Sequence, residues 1–150
     1  MRVVIQRVSK AIVSINGEVK SAIKQGLLIF FGVEDTDTSA DIDWLTKKIA
    51  QLRVFSDEQG LMNRSILDVK GEVLVVSQFT LHAKTKKGNR PSYSKAAKSE
   101  QAIPLYEEFV KMLAYEIRKN VKTGEFGANM QVSLCNDGPV TIIIDTKNKE

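Results

Sequence analysis

Hydrophobic and polar positions along this chain repeat mostly at strand spacing, with two stretches at helical spacing. Met1 to Val8 is predicted as a strand, and Ala11 to Ile15 alternates as a second strand-like piece. Asn16-Gly17 then offers two residues that tolerate positive φ, the signature of a tight hairpin turn, with Glu18 to Ile23 as the returning strand. Gly26 to Val33 is a continuous apolar run, which predicts a strand buried on both faces. Glu34 to Ser39 is polar and acidic and is assigned to a loop. Ile42, Leu45, Ile49 and Leu52 then fall on one helical face, with Ser39 as the expected N-cap. Asp57 to Gly60 is predicted as a turn, and Gly71 to Leu81 as a β-prone stretch. A long polar segment, Ala83 to Ser99, precedes a second helix whose face is Tyr106, Phe109, Val110, Leu113 and Ile117. Pro104 places the start of that helix within a few residues of itself. Met130 to Asn136 and Val140 to Asp145 are the last predicted strands, joined through Asp137-Gly138-Pro139.

Strands outnumber helices and do not alternate regularly with them. The expected class is therefore α+β, a mixed or antiparallel sheet with a barrel-like core and two main helices. Residues 1–145 are assigned to one domain, and Thr146 to Glu150 to a frayed polar tail.

Composition narrows the setting. Hydrophobic residues make up 43% and charged residues 27%, which excludes a disordered chain. The longest apolar run, Leu27 to Phe31, is far too short to span a bilayer, and MRVVIQRVSK lacks the apolar core of a signal peptide. A single cysteine, Cys135, excludes an internal disulfide and fits a reducing cytoplasm. The net charge of +4 is a weak pointer to nucleic acid. The distribution says more: Lys84, Lys86, Lys87, Arg90, Lys95 and Lys98 fall in one segment with no acidic residue among them. Such a cluster is either a solvated loop or a phosphate-contacting patch.

Several chemistries are excluded. His82 is the only histidine, so the usual cysteine/histidine zinc site lacks its ligands. No P-loop or GxGxxG fingerprint is present. A Cys–His nucleophile would need Cys135 and His82 together, and Cys135 lies in a strand-like run where cysteine is ordinarily a small packed residue. The acidic Asp35, Asp37, Asp41 and Asp43 lack EF-hand spacing and are assigned to solvent.

Two short segments remain. VVSQFTL carries Ser77, Gln78 and Thr80, with hydroxyl and amide groups, beside the flat apolar Phe79. Taken alone it is a strand end. NDGPVT, Asn136 to Thr141, is locally a tight turn in which Gly138 lets the backbone approach a ligand. Taken with the intervening GNRPSYSKAA and MQVSLC, and with MRVVIQRV, NGEV and GLLIFFGVE near the start, the pattern closely resembles the D-aminoacyl-tRNA deacylases over roughly residues 1–145.

The resemblance implies hydrolysis of the ester between a D-amino acid and the 3′-terminal ribose of tRNA, and removal of glycine mischarged onto tRNA(Ala). It implies a homodimer with no metal and no organic cofactor, in which a cis Gly138-Pro139 reaches into the partner's site and selects chirality. Ser77, Gln78 and Phe79 are then expected to hold the terminal adenosine. Met130 is either a pocket residue or a core methionine. Arg7 either holds the Gly-Pro segment or is an ordinary surface arginine. Thr80 is a candidate nucleophile without an evident base, or else a group that orients the ester. Two other readings stay open: an RNA-binding β-rich module with no catalysis, and a small-molecule esterase.

Overall fold

The computed structural model describes residues 1–150 and builds its sheet around one long strand, β1 (Arg2–Ile15). No glycine or proline interrupts this stretch, so the two predicted pieces are continuous. Val3, Ile5, Val8, Ala11 and Val13 are all buried along it. β2 (Glu18–Ile23) returns antiparallel through Asn16-Gly17, whose φ values of 50° and 79° are those of the predicted turn. β3 (Gly26–Gly32) pairs antiparallel with the first half of β1. β6 (Glu72–Ser77) runs parallel to β3, and β7 (Lys122–Thr123) parallel to β6. The last strand, β8 (Gln131–Asp145), lies antiparallel along nearly the whole of β1. The sheet is therefore mixed, ordered β2-β1-β3-β6-β7 with β8 against β1. Ser21 Oγ donates to the Thr123 carbonyl and Lys122 Nζ to that of Ala22, which brings β2 and β7 together into a nearly closed barrel.

The period of two accounts for both buried faces. Leu27, Ile29, Phe31, Val73 and Val75 face the helices. Leu28, Leu74 and Val76 face the opposite way, packing with Val8, Ala11 and Val13. The helical layer consists of α1 (Ser39–Gln51) and α3 (Ser99–Ile117), with a short α2 (Ile66–Val69) between them. Phe31 and Phe109 stack at 4.2 Å between ring centroids and tie α3 to the sheet. No helix is long and apolar enough to cross a membrane.

Several expectations are corrected. The N-cap of α1 is Thr38, not Ser39: Asp41 accepts the Thr38 N–H at 2.9 Å, while the Ser39 hydroxyl bonds Glu108. The start of α3 agrees with expectation: it begins at Ser99, within a few residues of Pro104, which sits in the second turn. The Lys98 carbonyl has already started the helix by accepting the Ala102 N–H at 2.8 Å, and Pro104 removes only one later bond. The strand predicted over Gly71 to Leu81 stops at Ser77, and Phe79–His82 forms a 3-10 turn. The Asp57–Gly60 turn closes an unforeseen hairpin, β4 (Phe55–Ser56) and β5 (Met62–Arg64).

The acidic loop and the tail also differ. Asp37 is buried and pairs with the α-ammonium of Met1, which also donates to Thr146 Oγ1 at 2.8 Å. Thr146 is itself buried, and Lys147 reaches Asp41 at 3.0 Å. These contacts pin Thr146 and Lys147, the first two residues of the tail expected to fray.

Candidate active site

β8 does not turn back at Asp137-Gly138-Pro139. Thr141 pairs with Gln6 and Asn136 pairs with Val8, so residues 137–140 bulge out of the strand opposite Arg7. A hairpin is the natural local reading of Asp-Gly-Pro. Here β1 continues past the bulge and recaptures the chain on its far side. Asn136 closes the base of the bulge, donating from Nδ2 to the carbonyls of Arg7 at 3.0 Å and Val140 at 2.9 Å. Arg7 holds it from within the fold, donating from Nε to the Asp137 carbonyl at 3.0 Å and from Nη1 to the Val54 carbonyl at 2.6 Å. Its side chain is only 11% exposed, so Arg7 is not an ordinary surface arginine. The Gly138-Pro139 bond is cis, and Gly138 sits at φ 130°, a conformation that favours glycine.

The second segment lies at the end of β6. The parallel pairing with β3 ends at Ser77 opposite Phe31, and the Gln78 N–H donates to the Phe31 carbonyl at 2.8 Å. The chain then tightens into the 3-10 turn. Gln78 Nε2 donates to the Thr80 hydroxyl. No histidine or carboxylate hydrogen-bonds that hydroxyl. The ring of His82 is buried, and its Nε2 meets no protein partner.

Beside this turn opens a cleft of about 590 Å³. Ser77, Gln78 and Phe79 line it together with Tyr93, Phe126 and Met130. Phe79 is 56% exposed and meets Tyr93 edge-on at 5.0 Å, so an apolar rim stands at the mouth. Underneath, Phe126 packs edge-on against Tyr106 at 5.7 Å. The Tyr106 hydroxyl donates to the Val75 carbonyl. Burial pushes its pKa up to about 12, against a hydrogen bond with Thr123 that lowers it, so it is a structural phenol at neutral pH.

Four of the eight residues singled out from the sequence therefore share the cleft: Ser77, Gln78, Phe79 and Met130. Thr80 is on the adjoining turn but does not line it. Gly138 and Pro139 belong to the bulge and Arg7 to β1 opposite it, all three outside the cleft of their own chain. Phe126 and the Val54 carbonyl were not foreseen, nor were the clamping contacts of Asn136, although that residue lies in the segment singled out from the sequence. Only long-range contacts reveal them, although Phe126 lies just four residues before Met130. The six cations from Lys84 to Lys98 are exposed, and none is paired with a carboxylate. Lys98 stands at the cleft itself. No group of three or more histidine, cysteine or acidic side chains is gathered as a metal site.

Comparison with known proteins gives a consistent result. Residues 4–145 match the family model described as D-Tyr-tRNA(Tyr) deacylase. The chain is 67% identical over 150 residues, 100% of both chains, to a D-aminoacyl-tRNA deacylase of Bacteroides fragilis (strain YCH46). It is 60% identical over the same full lengths to a protein of that name from Flavobacterium johnsoniae. Among solved structures, one titled c-Myc DNA Unwinding Element Binding Protein superposes with a TM-score of 0.92 at 42% identity, covering 97% of this chain and 98% of that one. A probable eukaryotic D-amino acid tRNA deacylase shares the fold, with a TM-score of 0.81 at 16% identity over 95% and 97% of the two chains.

Proposed function

The chain belongs to the D-Tyr-tRNA(Tyr) deacylase family, and from that premise we propose how its cleft and its bulge divide the hydrolysis of D-aminoacyl-tRNA between them. The activity is that of an ester hydrolase acting on D-aminoacyl-tRNA. One observation carries the division of labour: Gly138 and Pro139 are exposed and stand outside the cleft of their own chain, yet the bulge is firmly tied by Arg7 and Asn136. A rigid, exposed loop of that kind suits insertion into the cleft of a second copy, so the working unit is a homodimer.

In that unit the 3′-terminal adenosine of tRNA occupies the cleft. Phe79 offers its base an aromatic face, a contact ordinarily worth about 1–3 kcal/mol per base. Ser77 and Gln78 supply hydrogen bonds, and Met130 fills the apolar wall. Backbone carbonyls of the partner's bulge accept hydrogen bonds from the substrate's α-amino group. With that group held, an L side chain runs into the Gly138-Pro139 backbone while a D side chain points outwards. Selection is therefore steric exclusion of the wrong enantiomer, independent of side-chain identity. Glycine has nothing to exclude, so glycyl-tRNA(Ala) is also a substrate.

Thr80 orients the ester and does not attack it. A threonine hydroxyl needs a base, and its side-chain hydrogen-bond partner is the amide of Gln78. Water attacks instead, assisted by the ribose 2′-OH of the substrate. Thr80 and nearby backbone N–H groups stabilise the developing oxyanion. The exposed cations from Lys84 to Lys98 meet phosphates of the acceptor stem and position the RNA without reading its sequence.

Single-turnover release of D-tyrosine from charged tRNA tests this mechanism. Thr80→Ala is expected to keep measurable activity, whereas a 2′-deoxy terminal adenosine is expected to stop it. Complete loss in Thr80→Ala with full cleavage of the 2′-deoxy substrate would instead identify Thr80 as the nucleophile.

A further inference from the structure

We propose that Arg2 is a positioning residue for the turn that carries Thr80, and that Asp145 orients it. The assignment rests on the deacylase reading of the site. Around the Phe79–His82 turn, Leu81 N–H donates to the Gln78 carbonyl at 3.2 Å, and Ala83 N–H to that of Thr80 at 3.1 Å. The carbonyl of Leu81, next to Thr80, is taken from outside. Arg2 Nη1 donates to it at 2.7 Å.

The opposite edge of the same guanidinium is fixed as well. Arg2 Nε and Nη2 donate to Asp145 Oδ2 at 3.0 and 2.8 Å. The other carboxylate oxygen of Asp145 accepts the Lys147 N–H at 2.9 Å. Arg2 and Asp145 are also directly paired in the β1–β8 ladder, so the backbone sets their approach. A planar cation gripped along one edge presents its remaining donor in a set direction, which a lysine ammonium cannot reproduce. The turn is confined from below too. A Cβ on Gly32 would lie 2.9 Å from the Gln78 carbonyl oxygen and 3.1 Å from His82 Cδ2, so β3 and the turn touch without a side chain between them. Ser77 and Gln78 are held by backbone pairing with β3, whereas Leu81 meets β3 only by packing, its Cβ standing beside Gly32, and its carbonyl is held by Arg2.

That division specifies the effect. Loss of Arg2 frees the half bearing Thr80 and leaves the adenosine-binding half in register. On D-tyrosyl-tRNA, Arg2→Met is expected to lower kcat about tenfold, with KM within about twofold, because small misplacements of a catalytic group act on the transition state. Arg2→Lys is expected to lower kcat similarly, since the charge remains and the geometry does not. Asp145→Asn, which leaves Arg2 present, is expected to lower kcat less, and the double variant is expected to match Arg2→Met alone. A core truncation remote from the turn, Ile49→Val, controls for stability and is expected to lower Tm with kcat unchanged.

Full kcat in Arg2→Met, full recovery in Arg2→Lys, or additive losses in the double variant would each overturn the assignment of Arg2 while leaving the deacylase intact. Should Arg2→Met not fold, Asp145→Asn with unchanged kcat would overturn it equally. A wild-type chain that releases no D-tyrosine would overturn the functional reading and this proposal together.

Discussion

Replacing Gly138 with alanine places one methyl group in the segment proposed to choose between enantiomers. At φ 130° an L residue is strained by roughly 1–3 kcal/mol. The added Cβ would also lie 2.9 Å from Val140 Cγ2, 3.0 Å from Arg7 Nη2 and 3.1 Å from the Val140 nitrogen. The valine methyl can rotate away. The arginine is less free, because its Nη1 and Nε are committed to the Val54 and Asp137 carbonyls at 2.6 and 3.0 Å. Loosening a hydrogen bond to a charged group costs about 1.5–3 kcal/mol. The bulge is exposed, so it relieves part of this by moving, and a net loss of about 2 kcal/mol of stability is expected. Movement is what matters for function, since a shift approaching 1 Å in a positioning group can reduce rate by about a hundredfold. Gly138→Ala is therefore expected to lower kcat/KM on D-tyrosyl-tRNA by about 10- to 100-fold, a loss of roughly 1.4–2.7 kcal/mol in transition-state stabilisation. Release of labelled tyrosine from D- and L-tyrosyl-tRNA at limiting enzyme, alongside urea unfolding, measures both effects. A folded Gly138→Ala protein with the wild-type D rate and undiminished rejection of L would refute the reasoning.

Two further outcomes follow from charge. If about four of the six cations between Lys84 and Lys98 meet phosphates, affinity for tRNA should fall by about a hundredfold between 50 and 200 mM salt. Salt-independent binding would remove that segment from the interface. Acid stability depends in part on Asp41 and Asp145; Asp57, hydrogen-bonded by Asn63, and Asp68, hydrogen-bonded by Ser65, are also held below the usual carboxylate range. Burial alone would raise the pKa of Asp41, but hydrogen bonds from Thr146, Lys147 and the Thr38 N–H hold it well below the usual carboxylate range. Burial would likewise raise Asp145, and Arg2 lowers it. A carboxyl depressed in the folded state contributes stability above its unfolded pKa of about 3.9 and loses it as pH falls through the folded value. Tm should accordingly drop below about pH 4, and less steeply in Lys147→Met. A flat profile from pH 5 to 2.5 would contradict both assignments.

Much of the sheet could be foreseen because local pattern and tertiary environment agree there. The stretches Met1 to Val8 and Ala11 to Ile15 and the apolar run from Gly26 each demand a strand and fall in strands, and Asn16-Gly17 makes the expected turn between β1 and β2. Errors cluster where a distant partner decides. Asp137-Gly138-Pro139 carries every local mark of a hairpin, but β1 pairs with β8 on both sides and makes it a bulge. The β-prone run from Gly71 ends early because its neighbour β3 ends, and the chain beyond folds onto Gly32. Asp37 lies in a stretch of solvent character, yet it is buried, with its carboxylate shared between the amino group of Met1 and the Glu34 N–H. The same holds at the site. SQFT and NDGPVT stand out through their residue types, while Asn136 as the clamp and Arg2 as an anchor are defined by contacts across most of the chain's length, and Phe126 as a wall by its packing on Tyr106.

The steric filter is tested most directly with three amino acids on one RNA. D-alanyl-, glycyl- and L-alanyl-tRNA(Ala) differ only in where, or whether, a methyl group stands on the α-carbon. Deacylation rates measured side by side at limiting enzyme should show release of D-alanine and of glycine, with L-alanyl-tRNA persisting. Release of L-alanine at a comparable rate, or retention of glycine while D-alanine is released, would contradict selection by the Gly138-Pro139 backbone.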